Sequence, residues 1–539
     1  MPTSDNIKKI LNTVRTKIQR ANAFWKEDNF EGAIKEYKDA LVFYNKYNGN
    51  PEERIQIISS IASGYAKLGD YKNSIKYYEI LYKEEHRNLN LYNYLAQQYS
   101  DYDCEKELDC CLKALDLAPQ EGSFISACWL IMKNLKYSQK EFKDFCEKYV
   151  NIFRPNYLSK MPAFKHSKPD RNKKLKIGYV STDFYCHAMM SFVLPIIEYH
   201  NFDKYEIILY SINSKHDAVT ERLKKTGVNF VDLSEASVQQ IAQKIYDDKI
   251  DIVVDLSGYV NTKAFWLFYK PAPIQMQYMG FLNTYGMKEV DYIITDKFSI
   301  PEEIADEYTE KPLYLEHGME KYCFSSPNTK LPSVNPAPPC LINGYVTFGS
   351  FNTINKIDNE TIALWVKVME AVPNSRLLIY RTQMNDKVKE GLIRLLERNN
   401  ADMSRVILKN DARQDSHFKI YEQADIALDP LPFSGLTVTV ETMLMGVPVL
   451  CMCGETLQSK GTTRINQRLG MRRFIAENKE DYIEKAKQLS KPEVIINLRN
   501  TLRNHIMSSD LFNNYKEIAE DFENCFNQAW EDYCKKQEV

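Results

Sequence analysis

The sequence predicts a region of paired helical repeats followed by an α/β region of two Rossmann-like domains in tandem. Three observations lead there. A helical segment recurs within the first 150 residues, the periodicity switches near Leu175 to short β-rich runs, and a proline-rich break divides the remainder into two such series. The length of 539 residues agrees, being more than one growing core accommodates.

The helical segment at 30–41 returns at 71–81 after the turn Leu68-Gly69-Asp70, and again at 107–115, closed by Ala118-Pro119. Aligned on the small-residue slot, Ala33, Ser74 and Glu107 fall in register at steps of 41 and 33 residues. A tetratricopeptide repeat advances by about 34. The longer first step is accounted for by an insertion at the turn signal Tyr47-Asn48-Gly49-Asn50-Pro51. Glu107 fits the small slot poorly, so the third copy is degenerate, and a plain helical bundle is the alternative.

Residues 151–173 are expected to be a linker, ending in the polar, basic stretch Lys165 to Lys174 and giving way to Leu175-Lys176-Ile177-Gly178-Tyr179-Val180. Strands are expected there and at 205–210, 229–233, 250–256, 274–279 and 292–295, alternating with helices, for a domain spanning 174–324. Pro327, Pro332, Pro336, Pro338 and Pro339 mark a second linker over 325–343. A second domain, 344–539, follows, with strands at 345–351, 376–380, 405–408, 426–428 and 447–451 and an amphipathic closing helix at about 515–535 able to pack on either domain. Two open sheets in tandem place a cleft between their carboxyl ends.

Composition excludes several classes. Lys and Arg (70) nearly cancel Asp and Glu (72), so no global field draws the chain to nucleic acid or acidic membranes. No run approaches the roughly 18 apolar residues of a membrane span, and the N-terminus lacks a signal-peptide pattern. Twelve cysteines without CxxC pairs read as reduced thiols, which suits the cytoplasm. The one Asp-x-Asp, Asp101-Tyr102-Asp103, falls among the helical repeats, so no divalent metal site is expected at a strand end.

The second domain carries the residues suited to a phosphorylated ligand. The segment Pro430-Leu431-Pro432-Phe433-Ser434-Gly435-Leu436-Thr437-Val438-Thr439-Val440-Glu441 follows a short strand and opens a helix. Gly435 lets the backbone approach a ligand, and Thr437 and the first-turn amides favour an anion. In Phe348-Gly349-Ser350-Phe351-Asn352-Thr353-Ile354-Asn355-Lys356, a strand ends and a lysine able to neutralise a phosphate comes soon after. Asp411-Ala412-Arg413-Gln414-Asp415-Ser416-His417 supplies a histidine able to lie flat against a base, although such a residue alone is more often structural.

With Ile177-Gly178-Tyr179-Val180-Ser181-Thr182-Asp183-Phe184, His187, Pro271-Ala272-Pro273-Ile274-Gln275, Asp291-Tyr292-Ile293-Ile294-Thr295-Asp296 and Gly454-Glu455-Thr456-Leu457, these stretches occur in one order. In that order the chain resembles the O-GlcNAc transferase and SPINDLY family of protein O-glycosyltransferases, which also carry tetratricopeptide repeats in front. The resemblance implies two facing Rossmann-like domains of the GT-B type. It also implies inverting, metal-independent transfer from a nucleotide sugar, no cofactor besides that donor, and a protein acceptor recruited partly by the helical repeats.

Carried over by position, the resemblance makes Lys356 the β-phosphate lysine, His417 the base-stacking histidine, and Ala412 the position whose backbone reads the base edge. Thr437 becomes a phosphate threonine, Glu441 the acidic residue on the ribose hydroxyls, and His187 the active-site histidine considered as general base. Asn352, Gly435, Leu436 and Val438 complete the expected donor site. Where the animal O-GlcNAc enzymes have His-Thr-Thr after the glycine, this chain has Leu436-Thr437-Val438, which removes polar contacts near the sugar. The expected donor is UDP-N-acetylglucosamine and the expected acceptor Ser or Thr. GDP-fucose, UDP-glucose or an asparagine acceptor within the same chemistry, and a catalytically inactive tetratricopeptide adaptor, remain alternatives.

Overall fold

In the computed structural model, residues 4–47, 50–84, 87–100, 103–119, 121–260, 262–326, 329–411 and 417–538 are described. The chain divides into two compact units, Met1–Phe124 and Ile125–Val539.

The first unit is built from three helix pairs: Ser4–Lys26 with Phe30–Tyr47, Pro51–Lys67 with Tyr71–Lys83, and Leu89–Tyr99 with Cys104–Leu117. Asn50, Asp70, Asn88 and Asp103 each accept from an amide of the first helical turn, which sets where four of these helices begin. Ala33 and Ser74 are fully buried, and the Ser74 hydroxyl donates to the Ala62 carbonyl at 2.7 Å. The small slot thus lets neighbouring helices approach closely. Glu107 is only half-buried, as a degenerate third copy requires. Asp103 of the Asp-x-Asp sequence is a helix cap, whereas Asp101 and Tyr102, like Asn48 and Gly49, lie outside the described residues.

The second unit opens with helical chain rather than a linker. The helix Gln139–Lys160 runs past residue 150, and the boundary expected there is displaced to Phe124. The cause is aromatic packing. Trp129 stacks on Tyr259 at 3.4 Å, Phe153 stacks on Phe265 at 5.6 Å, and Gln139 donates to Asn283 Oδ1 at 2.7 Å. Residues from Ile125 to Lys160 therefore belong to the core of the α/β region.

Two parallel sheets follow. The first contains β1 (Leu175–Ser181), β2 (Tyr205–Ser211), β3 (Asn229–Asp232), β4 (Ile252–Asp255), β5 (Ile274–Gln277), β6 (Tyr292–Thr295) and β7 (Lys311–Tyr314), in the order β3-β2-β1-β4-β5-β6-β7. The second contains β8 (Val346–Ser350), β9 (Ser375–Tyr380), β10 (Val406–Lys409), β11 (Ile426–Leu428), β12 (Val449–Met452) and β13 (Ile475–Ala476), in the order β10-β9-β8-β11-β12-β13. Both orders are those of doubly wound Rossmann-like sheets. The edge strands β7 and β13 are additions to the sequence-based expectation. One is a four-residue strand containing Pro312 and the other is two residues long, so neither shows a periodicity to read.

The linker expected over 325–343 ends in a short helix, Pro339–Asn343. The closing helix, Tyr515–Lys536, covers the first sheet instead of the second domain to which the sequence joins it. Phe522 meets Tyr278 edge-on at 4.7 Å, the Glu523 carboxylate accepts from the Asn201 amide at 2.7 Å, and the Tyr205 hydroxyl donates to Asn527 Oδ1 at 2.9 Å. Its apolar stripe is complementary to the aromatic face formed by Tyr205 on β2 and Tyr278 just past β5. Between the two sheets, Lys460 donates to the Phe298 and Ser299 carbonyls, and the buried Arg464 pairs with the buried Glu320.

Candidate active site

The expected site residues collect at the carboxyl ends of the strands. Asp183 and His187 follow β1, Asn352 and Lys356 follow β8, and Gly435 to Glu441 follow β11. A cavity of about 380 Å³ gathers residues of both sheets, with His187 and Ser191 on one wall and His417, Thr437, Val438 and Glu441 on the other. Tyr380, Arg381 and Tyr421 line it as well.

His417 opens the turn of 3₁₀ helix before β11, and its Nε2 lies 3.4 Å from Glu441 Oε1. This contact holds the imidazolium above the usual histidine value. The other Glu441 oxygen accepts from the Tyr421 hydroxyl at 2.6 Å. The ring of His417 stays largely exposed to the cavity, available to an aromatic ligand. Ala412 lies outside the described residues.

Gly435 is required by close approach. A Cβ there would stand 2.6 Å from Thr439 Oγ1 and 3.1 Å from Asp429 Oδ1. Its amide donates to Asp429 Oδ1 at 2.8 Å, and the Thr462 hydroxyl donates to its carbonyl at 3.2 Å. The turn so clamped opens the helix Thr437–Leu444, whose N-cap residue Leu436 makes no side-chain hydrogen bond to it. The first-turn amides therefore have no side-chain cap from Leu436, and such amides suit an anion. Leu436 and Val438 are half-buried against the core, so their side chains add packing rather than hydrogen bonds.

The Lys356 ammonium donates to the Ser434 carbonyl at 2.9 Å and sits 3.6 Å from the centre of the Phe433 ring. Burial draws it down to about 7, opposed by Asp429 and reinforced by the cations Lys133 and Arg381. Burial pushes Asp429 up, and its Oδ2 has no hydrogen-bond partner among the described residues. Asn352, buried at the end of β8, completes this floor. On the other wall, His187 Nδ1 lies 3.4 Å from Asp183 Oδ2, and burial raises the Asp183 carboxyl.

Three participants escape sequence reasoning. Arg381 is the first residue after β9 and Asp429 the first after β11, so reading each strand's next residue would have found both. Lys133 lies in the turn after the helix Gly122–Met132, and only the tertiary fold brings it to Phe433.

Comparison with known proteins gives the family. The model of glycosyl transferase family 41 matches residues 139–321 and 339–521. The chain belongs to glycosyl transferase family 41. It is 32% identical over 379 residues to the probable UDP-N-acetylglucosamine--peptide N-acetylglucosaminyltransferase SPINDLY of Petunia hybrida, covering 68% of this chain and 40% of that protein. The SPINDLY protein of Arabidopsis thaliana is likewise 32% identical over 375 residues, again 68% of this chain and 40% of the relative. The chain thus spans about 40% of the length of these curated relatives. In structure it is similar to a mutant O-GlcNAc transferase of Thermobaculum terrenum, with a TM-score of 0.75 at 23% identity, over 99% of this chain and 100% of the other. That likeness shows the GT-B fold of this family 41 member. Among its described residues, no helix is long and apolar enough to cross a membrane.

Proposed function

We propose that this family 41 member transfers N-acetylglucosamine from UDP-N-acetylglucosamine to Ser or Thr hydroxyls of a protein in the cytoplasm, with inversion and without a divalent ion. The observation that carries this reading is the gathering of Lys356, the uncapped amides at Thr437 and the His417–Glu441 pair around the carboxyl ends of one sheet. Those groups suit a diphosphate, a base and a ribose in that order.

In the proposed reaction an acceptor hydroxyl attacks the anomeric carbon opposite the diphosphate, the carbon–oxygen bond to the diphosphate breaks, and the nucleoside diphosphate leaves with the electron pair. The hydroxyl proton passes to the His187 imidazole, whose Nδ1 lies beside the Asp183 carboxylate. Lys356 and the amides at Thr437 meet the charge that builds up on the leaving group. The helical repeats of the first unit are proposed to recruit the acceptor.

Leu436 and Val438 favour a second reading, transfer of the less polar fucose from GDP-fucose, because neither offers a hydrogen bond to a sugar hydroxyl. One experiment decides. The protein is incubated with UDP-N-acetylglucosamine, GDP-fucose and UDP-glucose in the presence of a chelator, and release of nucleoside diphosphate and transfer to protein are scored. Turnover of UDP-N-acetylglucosamine is expected. Turnover of GDP-fucose alone replaces the donor, and neither turnover nor a thermal shift with any donor leaves the adaptor reading.

His417→Ala is expected to raise the donor KM far more than it lowers kcat, since stacking acts equally in ground and transition states. Base stacking on an aromatic side chain is worth about 1–3 kcal/mol, so the donor complex weakens roughly 5- to 150-fold. Steady-state kinetics on the proven donor check it, and an unchanged KM removes His417 from the base site.

A further inference from the structure

We propose that Lys133, which lies outside both sheets, is a second lysine at the phosphate end of the donor site and binds the diphosphate together with Lys356. The inference rests on the nucleoside-diphosphate reading above.

Lys133 directly follows the helix Gly122–Met132 and is half-buried. Its ammonium lies 5.4 Å from the centre of the Phe433 ring, the same ring that Lys356 meets at 3.6 Å. Among the described residues, none accepts a hydrogen bond from the Lys133 ammonium or pairs with it as a carboxylate. An aromatic ring holds a cation weakly compared with a carboxylate, and two ammonium groups on one ring repel each other.

The wider cluster is short of negative charge. Lys356 has Lys133 and Arg381 as neighbouring cations and one neighbouring buried carboxylate, Asp429, which is already engaged by the Gly435 amide, while Arg381 faces Glu441. Cations held apart from counter-charge in a partly desolvated site are poised for an anion of more than one charge, and a diphosphate meets that description where a monophosphate does so less well. Phe433 occupies the position immediately before the Ser434-Gly435 turn. A ligand seated on the turn's amides therefore brings its phosphates to the ring that both lysines flank. An acidic side chain of the acceptor is the competing occupant.

The test is calorimetric titration of the full chain with uridine, UMP and UDP, and with guanosine, GMP and GDP, for the wild type, Lys133→Met and Lys133→Gln. Removing a charge-assisted contact is expected to weaken the nucleoside diphosphate by about tenfold or more while nucleoside and monophosphate affinities stay within about twofold. Two lysine replacements are used so that misfolding of one leaves the other to report, with thermal midpoints as the control. If the wild type binds diphosphates no better than nucleosides, the donor reading falls and the inference with it. If the wild type prefers diphosphates and both variants keep that preference, the assignment of Lys133 alone is overturned. Unchanged diphosphate affinity with weaker transfer to acidic acceptor peptides overturns it in favour of the acceptor.

Discussion

Lys356→Ala is expected to remain folded while transferring sugar about 10²–10³-fold more slowly, the usual loss when one preorganised charge at a developing anion is removed. Lys356 leaves the end of β8 through a short turn and reaches the clamped turn at Ser434, beside the uncapped helix start at Thr437. The charge it meets is greatest in the transition state, so kcat is expected to fall more than donor affinity. Lys356→Arg is expected to recover little, because a planar guanidinium does not reproduce a compact ammonium. Single-turnover transfer at saturating donor, with circular dichroism for folding, is the measurement. A Lys356→Ala rate within about threefold of wild type, under about 1 kcal/mol of barrier, sinks the assignment.

The same lysine sets a pH limit. Its ammonium, drawn down to about 7 in the free site, loses its proton as pH rises, so kcat/KM is expected to decline above that value. Asp429 is the group that opposes this lowering, and the two titrate as a coupled pair. Removing the carboxylate charge in Asp429→Asn moves the decline to lower pH.

Gly280→Ala is expected to cost about 3 kcal/mol or more of stability, at the upper end of the cost of overpacking a core. A Cβ on Gly280 would stand 1.6 Å from the Leu256 carbonyl oxygen and 2.4 Å from its carbon. These are backbone atoms and cannot rotate away. Leu256 directly follows β4 and Gly280 lies three residues past β5, two neighbouring strands of the first sheet, so relief requires their ends to separate. Phe281, packed edge-on against Tyr259 and Tyr285, would have to move with them. Urea unfolding reads the loss as a lower midpoint, and a midpoint equal to wild type refutes it.

How far the sequence was legible depends on where each element's determinants lie. The interior strands β1, β2, β4 and β6 announce themselves as short runs rich in apolar and β-branched or aromatic residues, because both faces of a parallel sheet are covered, whereas β5 alternates Ile274-Gln275-Met276-Gln277. The helix pairs were legible through their repeated small residues, buried at Ala33 and Ser74. The domain boundary near 150 was not, since Trp129 and Phe153 look like ordinary helical core residues until Tyr259 and Phe265 are found against them. In the site, His187, His417, Thr437, Val438 and Glu441 come together around one cavity as residue types at strand ends suggest. Lys356 sits beneath the Phe433 ring rather than on that lining. Lys133 was invisible because its meaning comes wholly from long-range contact.

The closing helix Tyr515–Lys536 has a consequence for how this protein is made. The strands of the first sheet are complete in sequence by Tyr314, yet part of that sheet's outer layer is supplied about 200 residues later by Phe522, Glu523 and Asn527. During synthesis at roughly 5–20 residues per second, the aromatic face at Tyr205 and Tyr278 waits uncovered for about 10–40 seconds while the second sheet emerges. The first domain therefore cannot mature as an independent unit ahead of the second. Its outer layer is completed only by capture of distant chain, and over that interval the aromatic face is open to other apolar surfaces.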